Sequence, residues 1–98
     1  MKMTELTIVA KLAIDPVCAT GLAPLFRKLI EETRKETGCI LYDLHRSKAD
    51  PSVYLFYETW QTRAHWQAHT KTAHIQEFQA ASKGMIVGSE LLEMSKFK

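Results

Sequence analysis

The chain has 98 residues, which suits one domain spanning 1–98 and leaves no room for a second hydrophobic core. Hydrophobic residues make up 46% of it and charged residues 24%, as is ordinary for a globular protein. The formal net charge is only +2 and no basic block is present, so we expect neither nucleic acid nor membrane as a partner. No apolar stretch approaches the ~18 residues of a membrane span, and the N-terminus lacks a signal-peptide layout. We therefore expect a cytoplasmic protein.

The first part of the chain predicts a strand and a helix. "ELTIVAKLAI" is β-branched and largely alternating, which predicts a strand over 4–14 that ends at the Asp-Pro dipeptide 15–16. The next stretch predicts an amphipathic helix over 20–37, with Thr20 as its N-cap and Gly38 as its stop. Its apolar stripe has the spacing i, i+3, i+4, i+7, i+8 and consists of Leu22, Leu25, Phe26, Leu29 and Ile30.

The second part predicts the rest of one α+β domain. Two strands, 39–47 and 52–60, flank the turn "KADP". Helical segments follow at 62–69 and 72–82, either separate or joined into one helix, and a fourth strand closes the chain at 85–97. The order β-α-β-β-α-β is the ferredoxin-like split βαβ arrangement. It predicts a four-stranded antiparallel sheet with its helices on one face.

The predicted third strand is apolar on both sides. Val53, Leu55 and Tyr57 point one way, whereas Tyr54 and Phe56 point the other way. The fourth strand has the same character, with one face expected to hold Ile86, Leu92 and Met94 and the other Val87, Leu91 and Phe97. Because the helices cover one face only, we expect a second copy of the sheet to cover the other face, in a homodimer.

Several motifs in the middle of the chain resemble the antibiotic biosynthesis monooxygenase (ABM) family, most of all its small bacterial quinol monooxygenases. They are "ETGCILYDLHRS", a D-P turn, and "YETWQTRAHWQAHTKTAHIQEF", together spanning roughly residues 36 to 80. The residues that match are Glu36, Gly38, Cys39, Tyr42, Asp50, Pro51, Glu58, Trp60, Ala64, His65, Ala68, His69, Thr72 and His74.

The resemblance implies a dimeric α+β barrel, in which two sheets pack face to face and a pocket lies between each sheet and its own helices. It implies a monooxygenase that oxidises a quinol or polyphenolic aromatic substrate with O₂ and needs no cofactor. Other members of the family isomerise or degrade signalling molecules, and some degrade haem. Two alternatives therefore stay open: an isomerase or detoxifying enzyme for a small reactive or signalling metabolite, and a non-catalytic dimer that binds small molecules.

Haem degradation is disfavoured by the positions that the haem-degrading branch uses. Where that branch has its iron-binding histidine, this chain has Gln79. Where it has a tryptophan against the haem, this chain has His69, and Lys11 falls where its asparagine is expected.

The histidine-rich stretch "HWQAHTKTAHIQEF" offers ligands for a metal site or groups for a proton-handling site. His65 and His69 are four residues apart, but His74 lies about 140° further around a continuous helix. Zinc needs three or four converging ligands, so this spacing predicts no metal site. A proton-handling site fits better, because a neutral imidazole is an available base at physiological pH.

Three residues are the predicted catalytic groups. His69, which falls where the family places a pocket-facing residue, and His74 are the candidate bases, and Glu58 is expected to orient a histidine. Each has a structural alternative: His69 in a buried pair with Glu58, His74 as a cap or packing residue, and Glu58 in an ion pair with Arg63.

Aromatic residues are expected to bind the substrate ring. Phe56 and Trp60 share strand parity with Glu58, and Trp66 lies three residues before His69. The predicted substrate-binding residues are Tyr42, Phe56, Trp60, Trp66 and Phe78. In a chain of this length they are alternatively core or interface residues. The segment "EETRKE", residues 31–36, is expected to be only the solvated end of the first helix.

Overall fold

The computed structural model describes residues 5–97. Its strands and helices follow the predicted order, with the second helical region divided in two. In chain order they are β1 (Leu6–Ile14), α1 (Ala19–Arg34), β2 (Cys39–Arg46), β3 (Val53–Trp60), α2 (Arg63–His69), α3 (Ala73–Ala81) and β4 (Ile86–Met94). Residue 4, where the first strand was expected to begin, lies outside the described residues. Within residues 5–97 no helix combines the length and the hydropathy that crossing a bilayer requires.

The four strands form one antiparallel sheet in the order β2-β3-β1-β4. This confirms the ferredoxin-like α+β fold. Ile8 lies opposite Glu58 and Ala10 opposite Phe56, so alternate residues of β1 and β3 face the helices. The buried hydrophobic core lies between that face and the helices, and consists of Ile8, Ile14, Leu22, Phe26, Leu29, Tyr42, Phe56 and Trp60.

Both ends of α1 differ from the prediction. The chain enters it through a short 3₁₀ turn, Pro16–Cys18, which Asp15 caps by accepting a hydrogen bond from a backbone N–H. Thr20 therefore lies inside the helix and is not its N-cap. The helix ends at Arg34, and the N–H of Glu36 bonds to the carbonyl three residues earlier. Glu36 consequently stands in a tight turn rather than on a solvated helix end.

A bulge changes which residues of β4 face the helices. The pairing of β1 with β4 shifts between Ala13 and Ile14, and Ile14 lies opposite Ile86 next to the core. Leu92 and Met94 lie on the face away from the helices. The expectation that these three residues of β4 share one face was wrong, because one extra residue in a bulged strand reverses the alternation of side chains beyond it.

The face of the sheet away from the helices carries an apolar row across three strands. Val9 lies between Tyr57 on β3 and Leu92 on β4. Tyr57 is 42% exposed and Leu92 44% exposed, so no element within residues 5–97 covers this row. The helices therefore cover only one of the two apolar faces.

Gly38 and Gly84 form a matched pair for testing the turn before β2. Their φ angles are +87° and +83°, in the region that favours glycine. A Cβ on Gly38 would collide with the ring of His65, whereas a Cβ on Gly84 would meet nothing within 4 Å. We expect Gly38→Ala to lower the free energy of unfolding by about 1–3 kcal/mol more than Gly84→Ala, because only the first adds a steric clash to backbone strain. Urea denaturation measures the difference, and equal losses would show that the His65 ring moves aside freely.

Candidate active site

Three side chains from separate parts of the chain meet at one carboxylate oxygen. Oε2 of Glu36, in the turn after α1, lies 2.6 Å from Nδ1 of His69 and 2.6 Å from Nε2 of His74. The three side chains are only 14%, 4% and 16% exposed, respectively. We call them the Glu36 cluster. A carboxylate that accepts two short hydrogen bonds away from solvent fixes the orientation of both imidazole rings.

Thr72 explains how the two histidines converge. Its hydroxyl donates to the backbone carbonyl of His69 at 2.9 Å and accepts from the backbone N–H of Ile75 at 3.4 Å. It therefore ends α2 and caps α3, as a threonine N-cap does. His69 is the last residue of α2, and His74 is the second residue of α3. On one continuous helix the two side chains would point about 140° apart. The break between α2 and α3 removes this constraint, so the two imidazole rings can converge.

His69 is enclosed by aromatic rings. Its ring centroid lies 4.8 Å from that of Trp60 and 5.5 Å from that of Tyr42. Burial lowers the pKa of His69, and the neighbouring Glu36 opposes that shift. A neutral His69 donates its Nδ1–H to the carboxylate and keeps its other nitrogen as an acceptor.

Glu58 lies beside the cluster but does not orient a histidine. Its Oε1 accepts a hydrogen bond from Nε1 of Trp60 at 3.0 Å. Arg63, its alternative partner, instead binds Glu93 with two contacts of 2.6 and 3.1 Å. The expected pairs of Glu58 with His69 and with Arg63 were therefore wrong, and Glu36 takes the role that they assigned to Glu58. Burial raises the pKa of Glu58 to about 7; the Trp60 hydrogen bond opposes the shift and the charge of Glu36 adds to it.

Tyr42 and Cys39 complete the surroundings of the cluster. Burial raises the pKa of the Tyr42 phenol well above its usual range, and the charge of Glu58 adds to the effect. Burial also raises the pKa of the Cys39 thiol to about 11, with Glu36 as the next cause. Both groups are protonated at neutral pH, so Cys39 is not poised as a nucleophile.

The five aromatic residues predicted to bind substrate do not form one pocket wall. Tyr42 and Trp60 surround His69, as described. Phe56 is buried in the core with its ring 5.1 Å from that of Tyr42. The ring of Trp66 lies under the guanidinium of Arg63, 5.6 Å from its centroid. Of the five, only Phe78 lines a cavity, which lies between α1 and α3.

A mainly apolar cavity of about 130 Å³ lies between α1 and α3. Its lining residues are Leu25, Lys28, Leu29, His74, Glu77, Phe78 and Ala81. His74 is the member of the Glu36 cluster that lines this cavity, whereas Glu36 and His69 do not line it. A molecule in the cavity would therefore meet His74 first.

The sequence reasoning missed Glu36 as a site residue. Glu36 belongs to the E-x-G-C motif, but the charged segment around it was interpreted as a solvated helix end. The available signal was the motif itself, because Gly38 was used only to stop the helix at residue 37 and so left Glu36 on it. In the structure the helix ends at Arg34, so Glu36 leaves the helix surface and contacts α2 and α3.

The Glu36 cluster is also a group of ligands that could hold a metal ion. Its carboxylate oxygen and imidazole nitrogens all lie within 4.8 Å of one another. Two imidazoles and one carboxylate suit several transition metals and would leave a coordination position open. The sequence predicted no bound metal because His69 and His74 would diverge on one continuous helix. That argument no longer applies, since the two histidines lie on separate helices and converge, so the absence of a metal stays a prediction.

The protein is an α+β domain with a candidate acid–base site. Its sheet is ferredoxin-like, and its helices and the turn after α1 carry a buried cluster of one carboxylate and two imidazoles. Residues 6–81 match the sequence model of the family described as "Antibiotic biosynthesis monooxygenase". The chain belongs to this family, which includes monooxygenases, and the resemblance noted from its motifs is confirmed.

Two curated relatives match part of the chain. "Uncharacterized protein sll1783" of Synechocystis is 26% identical over 83% of this chain and 55% of its own length. "Putative monooxygenase YcnE" of Bacillus subtilis is 30% identical over 61% of this chain and 63% of its own length. The chain thus spans less than two thirds of either relative.

Solved structures match almost the whole chain. A crystal structure described as an antibiotic biosynthesis monooxygenase is 29% identical, with a TM-score of 0.91, and covers 95% of this chain and 99% of its own. The structure of PA3566 from Pseudomonas aeruginosa is 26% identical, with a TM-score of 0.92, and covers 100% of this chain and 99% of its own. The domain architecture is therefore that of the family.

The raised pKa of Glu58 predicts a stability that falls with pH. Between pH 4.5 and 7 the folded protein keeps the Glu58 proton and the unfolded chain loses it, so stability decreases as pH rises through this window. Glu58→Gln keeps an acceptor for Trp60 and cannot ionise. We expect it to be as stable as the parent protein near pH 4.5 and more stable above pH 7, by up to roughly 3 kcal/mol. Urea denaturation at both pH values checks this, and an equal pH dependence of the two proteins would show that Glu58 ionises normally.

Proposed function

We propose that this protein is a cofactor-independent monooxygenase that oxidises a quinol or polyphenolic aromatic substrate with O₂. The observation that carries the proposal is the Glu36 cluster, which places a histidine with a fixed ring at the wall of an apolar cavity. Membership of the family supports the reaction class. The substrate class is the one that the family resemblance implies, and a base beside an apolar cavity suits it.

His74 is the proposed base, with His69 and Glu36 as its positioning residues. The Nε2–H of His74 donates to Glu36, so the other nitrogen is left to take a phenolic proton. Glu36 stabilises the imidazolium that forms, as a buried carboxylate does beside a catalytic histidine. His69 donates to the same carboxylate oxygen and so helps to hold it in place. The hypothesis from sequence preferred His69 as base, but His69 is more deeply buried and does not line the cavity.

The proposed reaction needs no further reactant. Removal of the proton makes an electron-rich phenolate, which reduces O₂ by one electron, and the resulting radicals combine to form a carbon–oxygen bond. The peroxide then breaks its O–O bond: one oxygen stays on the ring as a carbonyl or hydroxyl group, and the other leaves as water. The quinol supplies the two electrons that reduce the second oxygen atom to water. The organic product is therefore a hydroxyquinone. The intermediate is protected when bulk water is excluded, and the apolar walls of the cavity favour that exclusion.

We expect His74→Gln to lower kcat for quinol oxidation by about 10²–10⁴-fold, because the amide can still donate to Glu36 but cannot accept the proton. His45→Gln is the matched control, since His45 is an exposed histidine on β2 outside the cluster. Oxygen consumption with a panel of hydroquinones measures both. His74→Gln with normal turnover and an unchanged melting temperature would contradict the proposed base.

A chelator distinguishes the proposed reaction from metal chemistry in the same cluster. The chelated protein is expected to keep its full rate of oxygen consumption. Loss of that rate, with recovery when one divalent metal is added back, would show that the Glu36 cluster works as a metal centre and would contradict the cofactor-independent proposal.

We also propose that the protein is a homodimer through the apolar face of its sheet. Val9, Tyr57 and Leu92 form a row on that face, and a second copy would remove it from water. A closed two-fold pair also covers a sheet that a chain of this size cannot cover with its own helices. The two free cysteines, Cys18 and Cys39, fit the proposed cytoplasmic location, where thiols stay reduced.

Light scattering after size exclusion is expected to give about twice 11.2 kDa. Leu92→Glu should convert the dimer to monomer, because the carboxylate would be buried in the interface. Val17→Glu is the control, since Val17 is exposed in the turn before α1 and does not belong to the sheet. A monomer in the parent protein at micromolar concentration would contradict this interface.

A further inference from the structure

The cavity between α1 and α3 is built by one stripe from each helix. Residues of α3 at i, i+3, i+4 and i+7 line it, namely His74, Glu77, Phe78 and Ala81. Residues of α1 at i, i+3 and i+4 face them, namely Leu25, Lys28 and Leu29. Since side chains at these spacings lie on one side of a helix, the cavity is a groove along the contact between the two helices.

The size of the cavity limits what it can hold. Its volume is about 130 Å³. An engineered apolar cavity of about 150 Å³ in another protein holds one benzene molecule. One aromatic ring therefore fits between the helices, and a second fused ring would project past the exposed Lys28, Glu77 and Ala81 into solvent.

The polarity of the cavity changes along its length. His74 and Ala81 are seven residues apart on α3, which corresponds to about 10 Å along the helix axis. Between them the walls are the side chains of Leu25, Leu29 and Phe78. The ring of Phe78 offers a face or an edge to a second aromatic ring. A ring in this position would have its hydroxyl group near His74 and its apolar part toward Ala81.

The mouth of the cavity carries two charges that compensate each other. Nζ of Lys28 lies 3.2 Å from Oε1 of Glu77, and the pair joins α1 to α3. Both side chains are more than half exposed, so their pairing is worth little to stability. Because each charge already has its opposite beside it, the mouth offers no uncompensated charge that would select a charged substrate.

We propose that the cavity between α1 and α3 holds a single uncharged aromatic ring, with its hydroxyl group at His74 and its far edge at Ala81. The inference rests on the proposed function and narrows it to single-ring quinols with no charged substituent. Ala81 then determines specificity by leaving room for the ring.

Filling the cavity tests the inference without turnover. Ala81→Leu places a larger side chain in the cavity, whereas Ala80→Leu makes the same change on the neighbouring residue of α3, which does not line it. The probe is para-cresol, a single-ring phenol, and its dissociation constant is measured by NMR titration. We expect Ala81→Leu to weaken cresol binding by about tenfold or more and Ala80→Leu to leave it unchanged.

The outcomes separate this inference from the proposed function. Unchanged cresol binding in Ala81→Leu would overturn the inference, and so would binding of naphthol to the parent protein as tightly as cresol. Cresol binding that only Ala81→Leu weakens, in a protein that consumes no oxygen with any hydroquinone, would support the ring site and reject the monooxygenase. Oxygen consumption that Ala81→Leu does not alter would place the reaction elsewhere and overturn the inference alone.

Discussion

One carboxylate oxygen connects the parts of this protein that form its candidate site. Oε2 of Glu36 joins the turn after α1 to the end of α2 and the start of α3. Burying a carboxylate costs several kcal/mol unless hydrogen bonds compensate for the lost water, and two imidazole donors supply that compensation. The position of His74 at the cavity wall depends on this contact, because α3 is a short helix whose first turn is fixed there by Glu36 and Thr72.

Burial favours the neutral form of several groups around Glu36. It raises the pKa values of Glu58, Tyr42 and Cys39 and lowers that of His69, so in each case the neutral form is favoured. Glu36 then provides the negative charge that both histidines face. Such an arrangement suits the stabilisation of one positive charge at His74, which is what the removal of a proton from a phenol would create.

Periodicity and turn residues were enough to predict most of the fold. The alternation in β1 and β3, the apolar stripe of α1 and the Asp-Pro turn are local signals, and the strands and helices lie where these signals placed them. The errors fell where a neighbouring element decides the outcome. The bulge after Ala13 reverses part of β4, and the early end of α1 depends on how the chain turns toward β2. Pairing across strands decides the first, and a tight turn in which Lys35 and Glu36 bond back to Glu32 and Thr33 accompanies the second, so neither appears in a hydrophobic pattern.

The sequence by itself determined the element order, the family motif and the two-sided apolar sheet, and it singled out His69 and His74 as candidate site residues. Only the tertiary structure decided that Glu36 is the common partner of both histidines, because it lies 33 positions from His69 and 38 positions from His74 in the sequence. Only the structure also decided that His74, and not His69, reaches the cavity. The physical reason is that a hydrogen bond depends on distances of a few tenths of an ångström between side chains far apart in the chain. Spacing along one helix cannot predict such a contact once a threonine has divided that helix in two.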